Sequence, residues 1–255
     1  MAGNISADGP DSGAVLEAKV QRVLIWTGPV MMVLFLISFW LGGFLPPHRP
    51  WATSEQIANL YNAHPTMIRV NLVVTMAACA LWVPWGVAIG GQIRRIPGAK
   101  ALAATQTLSC ALFSLEFIFP VGIWMATAFR SGDRPVDITR ALNDTGWILF
   151  VLVIWSVEVQ MFCIAAAVLM DNRPAPILPR WVGYLTLWAA ILIIPAGLIL
   201  FFKTGPWAWN GILGFFVPLT GLVAWLVSMT WTVHRALTLQ IAEGAGPEDT
   251  RMLRS

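Results

Sequence analysis

Residues 101–129 read ALAATQTLSCALFSLEFIFPVGIWMATAF, a run that carries a single charge, Glu116, between Lys100 on one side and Arg130 on the other. An α-helix rises 1.5 Å per residue and the hydrocarbon core of a bilayer is about 30 Å thick, so about 20 mostly apolar residues cross it. The run satisfies that length, and its one acid stands near its middle. It is read as a transmembrane helix with something unusual inside it.

Five further stretches satisfy the same test: 23–45, 70–93, 147–170, 181–202 and 211–233. The first begins close to the N-terminus, but its apolar run is too long for the core of a signal peptide and ends on Pro46 and Pro47, so it is expected to be retained. The composition agrees with six spans. Of 255 residues, 57% are hydrophobic and only 11% charged, with a mean hydropathy of +0.70, whereas soluble domains carry about 25% charged residues. The expected fold is all-α, a kinked antiparallel bundle of six transmembrane helices. It divides into an N-tail over 1–21, expected to be disordered, a membrane domain over 22–235 and a C-tail over 236–255.

Orientation follows from the basic residues. Ten of the sixteen lysines and arginines fall in the two tails and the second and fourth loops. That bias places both termini in the cytoplasm, here of a bacterial cytoplasmic membrane. The formal charge of +3 is spread singly between apolar runs, so it argues for loop placement and against nucleic acid. Membrane lipid is the assured neighbour; a membrane-protein partner or a second copy of the chain is the other expectation.

Two acids interrupt the apolar runs, Glu116 and Glu158. A charge at the bilayer centre costs about 2.5–3.5 kcal/mol on insertion scales. Both glutamates are about equally far from the middle of the loop that joins spans 3 and 4, so antiparallel packing sets them at one depth. They are expected to meet or to share a cavity, and two charges in contact at low dielectric repel, so at least one is expected to be protonated. Thr105, Ser109 and Glu116 fall within about 40° of one another on one helix, a polar seam leading from the cytoplasmic side. Pro120 lacks the N–H that would bond the carbonyl of residue 116, which frees a second acceptor beside the carboxyl. These five residues, Glu116, Glu158, Thr105, Ser109 and Pro120, form the candidate proton or ligand site. The alternative is structural: a protonated glutamate tying two helices together.

Prolines also occur in four other spans, as Pro29, Pro84, Pro195 and Pro218. With Pro120 they suggest helices bent around an interior space. Gly86 and Gly90 form a GxxxG pair, a weak sign of close helix contact. In the first outer loop Thr53 or Ser54 is a candidate N-cap for a surface helix whose apolar face would hold Ile57, Leu60 and Tyr61. Of the fourteen tryptophans, Trp26, Trp51, Trp124, Trp147, Trp181, Trp207, Trp209 and Trp231 fall near span ends and are read as an interfacial belt. Trp82, Trp85, Trp155, Trp188 and Trp225 lie deeper.

No cofactor or metal is implied. Cys79, Cys110 and Cys163 sit in apolar runs without metal spacing and are read as buried small hydrophobes. No histidine lies deep enough to bind a haem within the bundle. His48, Glu55, His64 and Arg69 share one outer loop and are either an interfacial cluster or ordinary surface residues. The leading functional expectation is a small, proton-linked membrane carrier or conduit rather than an enzyme. The alternatives are an accessory subunit of a larger membrane complex and a membrane enzyme acting on a lipid or hydrophobic small molecule.

Overall fold

A computed structural model of the chain describes residues 10–152 and 154–244. Span 1 consists of α1 (Pro10–Leu24) and α2 (Thr27–Leu41), and α3 (Ser54–Ala63) lies in the loop that follows. Span 2 is α4 (Pro65–Ala80) and α5 (Trp82–Arg94); span 3 is the single helix α6 (Lys100–Phe129). Span 4 is α7 (Val136–Leu152) and α8 (Trp155–Met170). Span 5 starts as α9 (Arg180–Ile193) and tightens into a 3-10 segment, Ile194–Phe201; span 6 starts with a π-helical turn, Ile212–Phe216, and continues as α10 (Val217–Gly244). Six helical stretches are thus long and apolar enough to cross a membrane, and the chain is an all-α, six-span bundle.

Span 3 is the central post. It packs on α4, α5, α7 and α8, with Ala103, Gln106, Cys110, Phe113, Val121 and Trp124 among its buried residues, a spacing of three and four that lines up one helix face. Small residues set how near its neighbours come. A Cβ added at Gly86 would fall onto Cys110, only 2.8 Å from its Cβ, and one at Gly90 would lie 2.7 Å from Gln106 Nε2. The GxxxG pair is therefore the seam between spans 2 and 3. Gly28 and Gly146 do the same for the indoles of Trp85 and Trp124.

Spans 1, 2, 5 and 6 break or change helix type within a few residues of Pro29, Pro84, Pro195 and Pro218. The reason is the missing N–H: at the α1–α2 junction Trp26 N–H bonds back to Val23 O at 3.1 Å, and at the α4–α5 junction Leu81 N–H bonds to Ala78 O at 3.0 Å, both three-residue turns. At Pro120 no break occurs, because α6 runs unbroken through it. Span 4 breaks between α7 and α8 with neither proline nor glycine to mark it.

Three sequence expectations need correction. Residues 10–21 are helical rather than disordered, and the helix of span 6 continues past 235 to Gly244. Ala18 and Gln21 are buried on α1, and Ala236, Leu237 and Ile241 on α10; the two helices pack together, so amphipathic faces extend the bundle beyond the purely apolar runs. Residues 1–9 and 245–255 of the assigned tails lie outside the described residues. Third, Trp124, Trp147 and Trp209 belong to the core rather than to an interfacial belt; Trp155 and Trp188, read as lying deeper along their spans, face outward at 61% and 65% exposure.

The first-loop helix is capped by Thr53, whose hydroxyl accepts from Gln56 N–H while the Gln56 side chain accepts from Thr53 N–H, a reciprocal cap. Ile57 and Tyr61 are buried, but Leu60 is exposed, since only the i and i+4 positions face the bundle. The helix packs on α7, where Ser54 Oγ donates to Asp137 Oδ1 at 2.6 Å.

At the opposite end Arg173 grips Asp171 with two 2.7 Å hydrogen bonds, and Ile177 N–H adds a third at 3.0 Å. These donors, Arg173 foremost, hold the Asp171 carboxyl at about 2, below its usual 3.8. The folded value lies below the unfolded one, so the contribution, about 2 kcal/mol, is fully present above pH 3.8 and is lost as pH falls to about 2. Asp171→Asn is expected to remove about that stability at pH 7 and to flatten the loss over this acid window, as read by thermal unfolding in detergent.

Candidate functional site

Glu116 sits at the middle of α6, half-buried. Its Oε2 accepts a hydrogen bond from Ser156 Oγ, in the first turn of α8, just after the break in span 4. Glu158 lies two residues further on, 3% exposed, with neither carboxyl oxygen hydrogen-bonded. Two helical residues rise about 3 Å and rotate about 200°, so Glu158 shares the level of the Glu116–Ser156 contact but occupies another flank of α8. Glu116 is thus brought to Ser156 rather than to Glu158. Gln160, nearly opposite Glu158 around the same helix, reaches toward Gln106 Oε1 of span 3 at 3.5 Å, and its own Oε1 has no partner.

Of the other candidates, Pro120 is buried, Ser109 half-buried and Thr105 exposed. The polar line that faces the interior of the bundle lies one residue over. Gln106 Nε2 donates to Gly86 O at 3.0 Å, Cys110 Sγ to Trp82 O at 3.3 Å and Ser114 Oγ to Cys79 O at 2.8 Å. This Gln106, Cys110, Ser114 series recurs every four residues and ties span 3 to the backbone of span 2. The repeat was available in the sequence, but so was its neighbour Thr105–Ser109, and only packing chooses between them.

Beside these groups the bundle forms a partly open apolar cleft of about 80 Å³. Phe35, Phe113, Phe117 and Phe150 line it, with Phe35 and Phe150 stacked 5.8 Å apart and Phe117 5.2 Å from Phe150. Part of the remaining wall is made where helices change character. Ile154 stands at the α7–α8 break, Ala196 in the 3-10 segment of span 5, Gly214 and Phe215 in the π-turn of span 6. Irregular backbone at membrane depth is tolerated where protein or a cavity covers it. Phe117 and Val157, both cleft-lining, directly follow Glu116 and Ser156 in the chain.

A second polar cluster lies above the cleft. His48 is buried at 8% exposure, its Nδ1 2.8 Å from Asn143 Oδ1 and its Nε2 3.0 Å from Gly43 O. Tyr61 OH also donates to Asn143 Oδ1, at 3.3 Å, and Asn143 Nδ2 donates to Asp144 Oδ1 at 3.2 Å. Trp209 Nε1 reaches His48 O at 2.7 Å, so this one residue joins the first and fifth loops to span 4. Burial pulls His48 below its ordinary 6.5, against the Asn143 and Gly43 hydrogen bonds and the charge of Asp144, which act upward. Burial also raises the Tyr61 phenol well above 10.0. The suggested gathering of His48, Glu55, His64 and Arg69 does not form: Glu55 and His64 are exposed, and Arg69 donates to the carbonyls of Ala128 and Phe129. Nothing in the order of residues singles out Asn143 or Asp144, since only the register of α7 turns Asn143 inward.

Among the described residues no three His, Cys, Asp or Glu side chains come together as a metal site. The fold and this interior define an integral membrane protein with an aromatic cleft at the level of two mid-span carboxyls. No family model matches the chain, and no curated protein or solved structure is detectably similar to it.

Proposed function

We propose that the protein is a small carrier, proton-linked, for a lipophilic molecule that occupies the phenylalanine-lined cleft. The observation that carries this reading is the meeting of one cleft with backbone irregularities in three separate spans. Broken spans let segments on either side of a site move against each other, the arrangement that alternating access requires. Phenylalanine rings supply area and geometry for an apolar substrate without fixing one hydrogen-bonding pattern.

The proton link rests on Glu158. A carboxylate 3% exposed with both oxygens unpartnered would carry a desolvation cost of several kcal/mol if ionised. The resting group is therefore the neutral acid, and it ionises when a counter-charge or water arrives. Glu116, partly satisfied by Ser156, is the second proton-holding group at that level.

Proteoliposomes with an imposed pH gradient and a panel of lipophilic amines and aromatic acids test the reading. Wild-type protein is expected to accelerate uptake of at least one class. Glu158→Gln is expected to cut the pH-driven component at least ten-fold while leaving binding within about three-fold. Wild-type flux from both Glu158→Gln and Glu116→Gln, or no flux at all, would sink it.

A second reading, an accessory subunit of a larger membrane complex, draws support from Trp155 and Trp188. Both are largely exposed on spans 4 and 5, which pack side by side. Co-purification of one stoichiometric partner, lost in Trp155→Ala/Trp188→Ala, would favour it over the carrier.

A further inference from the structure

At the end of the bundle that carries both termini, α1, α5, α6 and α10 leave a polar cleft of about 530 Å³, far from the aromatic one. Its wall includes Arg94, Arg95, Gln21, Gln92, Gln240 and Thr107. We propose that this cleft binds a phosphate group, either the headgroup of an anionic lipid or a free phosphate ester.

The wall is prepared for an anion. Gln92, 1% exposed, donates through Nε2 to both Gln21 Oε1 and Gln240 Oε1 at 3.0 Å, and accepts Arg95 Nη1 at 2.7 Å on its own Oε1. Both N–H groups and one acceptor site of that amide hold three helices and one guanidinium in place. Arg95 is thereby fixed through one nitrogen, and a guanidinium held this way keeps further N–H groups for a second acceptor. Arg94 stands next to it, and neither arginine forms a salt bridge among the described residues. Glu17 is the one carboxylate among the lining residues, and it is occupied by Gln21 Nε2 at 3.0 Å.

Gly90 and Gly91 both line the cleft, and a Cβ at Gly91 would fall onto Gln21 Nε2, so the glycine lets the Gln21 amide lie directly against α5. Position adds the rest: Arg94 immediately follows the last apolar residue of span 2, Ile93, so the cleft opens at headgroup level. The charge bias of the loops assigns this end to the cytoplasm, where anionic lipids are enriched and basic pockets between spans take phosphate headgroups. Two guanidinium groups lining one cleft match phosphate oxygens in charge and in fork geometry.

Purified full-length protein in a neutral detergent, titrated with short-chain phosphatidylglycerol, diacylglycerol of the same chain length, or inorganic phosphate, tests this by thermal shift and native mass spectrometry. Phosphatidylglycerol is expected to bind and raise the melting temperature, while diacylglycerol does not. A shift from inorganic phosphate alone would identify the free ester as the source, and its absence would identify the lipid. Arg94→Gln/Arg95→Gln is expected to weaken binding at least about ten-fold. Should that pair disturb the fold, Glu17→Gln serves instead, with tighter binding expected from removal of the opposing charge. Equal binding of diacylglycerol, full binding by the arginine variant or weaker binding by Glu17→Gln would each overturn the assignment. None of these arms depends on the carrier reading.

Discussion

Gly86→Leu is expected to prevent the bundle from assembling, giving no monodisperse protein after detergent extraction. Spans 2 and 3 approach so closely at Gly86 that even a methyl group would meet the Cys110 side chain, with the Gln160 amide 3.9 Å behind it. A leucine has nowhere to go on that face. Overpacking of this kind costs about 1–3 kcal/mol for added methylenes where the backbone can shift. Here it cannot shift freely, because the same seam carries the Gln106–Gly86, Cys110–Trp82 and Ser114–Cys79 hydrogen bonds. Gly86→Ala is expected to fold with a loss of about 1–3 kcal/mol, and Gly86→Ala/Cys110→Ala to recover part of it by removing the sulfur. Thermal unfolding of the three variants checks the series; a wild-type melting curve for Gly86→Leu would show that the seam is not closely packed.

Asn143→Leu is expected to be the most damaging change on the opposite side. The amide is fully buried and serves His48, Tyr61 and Asp144 together. A leucine leaves buried His48 and Tyr61 each short of a partner, at about 1–3 kcal/mol per buried group, so a total loss of about 2–6 kcal/mol is expected, while Asp144 is part-exposed and keeps Arg140. The pH dependence has a definite sign. His48 lies below 6.5 in the folded protein, so the unfolded chain takes up the proton first and stability rises with pH. Its contribution is complete above pH 6.5 and declines as pH drops below that toward the folded value. Since the Asn143 bond acts to raise His48, its removal is expected to steepen the decline, while His48→Gln is expected to abolish it. Melting temperatures at pH 5.5 and 7.5 in the three proteins decide this, and equal slopes in all of them would refute it.

The same two regions mark how far the sequence could be read. Span number and approximate limits were legible because a helix in hydrocarbon must be long and apolar whatever it packs against. An N-cap at Thr53 or Ser54 and four of the five proline positions were legible too, since each acts through its own backbone; that Thr53 is the cap and Gln56 its partner came only with the structure. Which polar residues of a span face inward was not. Thr105–Ser109 and Gln106–Cys110–Ser114 differ by a single helical step, and in a membrane the outward face bears no signature of its own, because lipid is as apolar as the core.

By itself, then, the chain determined an all-α membrane protein of six crossings and two acids at matching depth. The folded arrangement alone decided that Glu116 turns to Ser156, that Glu158 is left without a partner, and that Gln106 rather than Thr105 points inward. It also decided that helix breaks from three spans converge on one aromatic cleft. Length and hydropathy are properties of a segment taken alone, whereas a rotation of 100° per residue means that contact between segments depends on register, which only packing fixes.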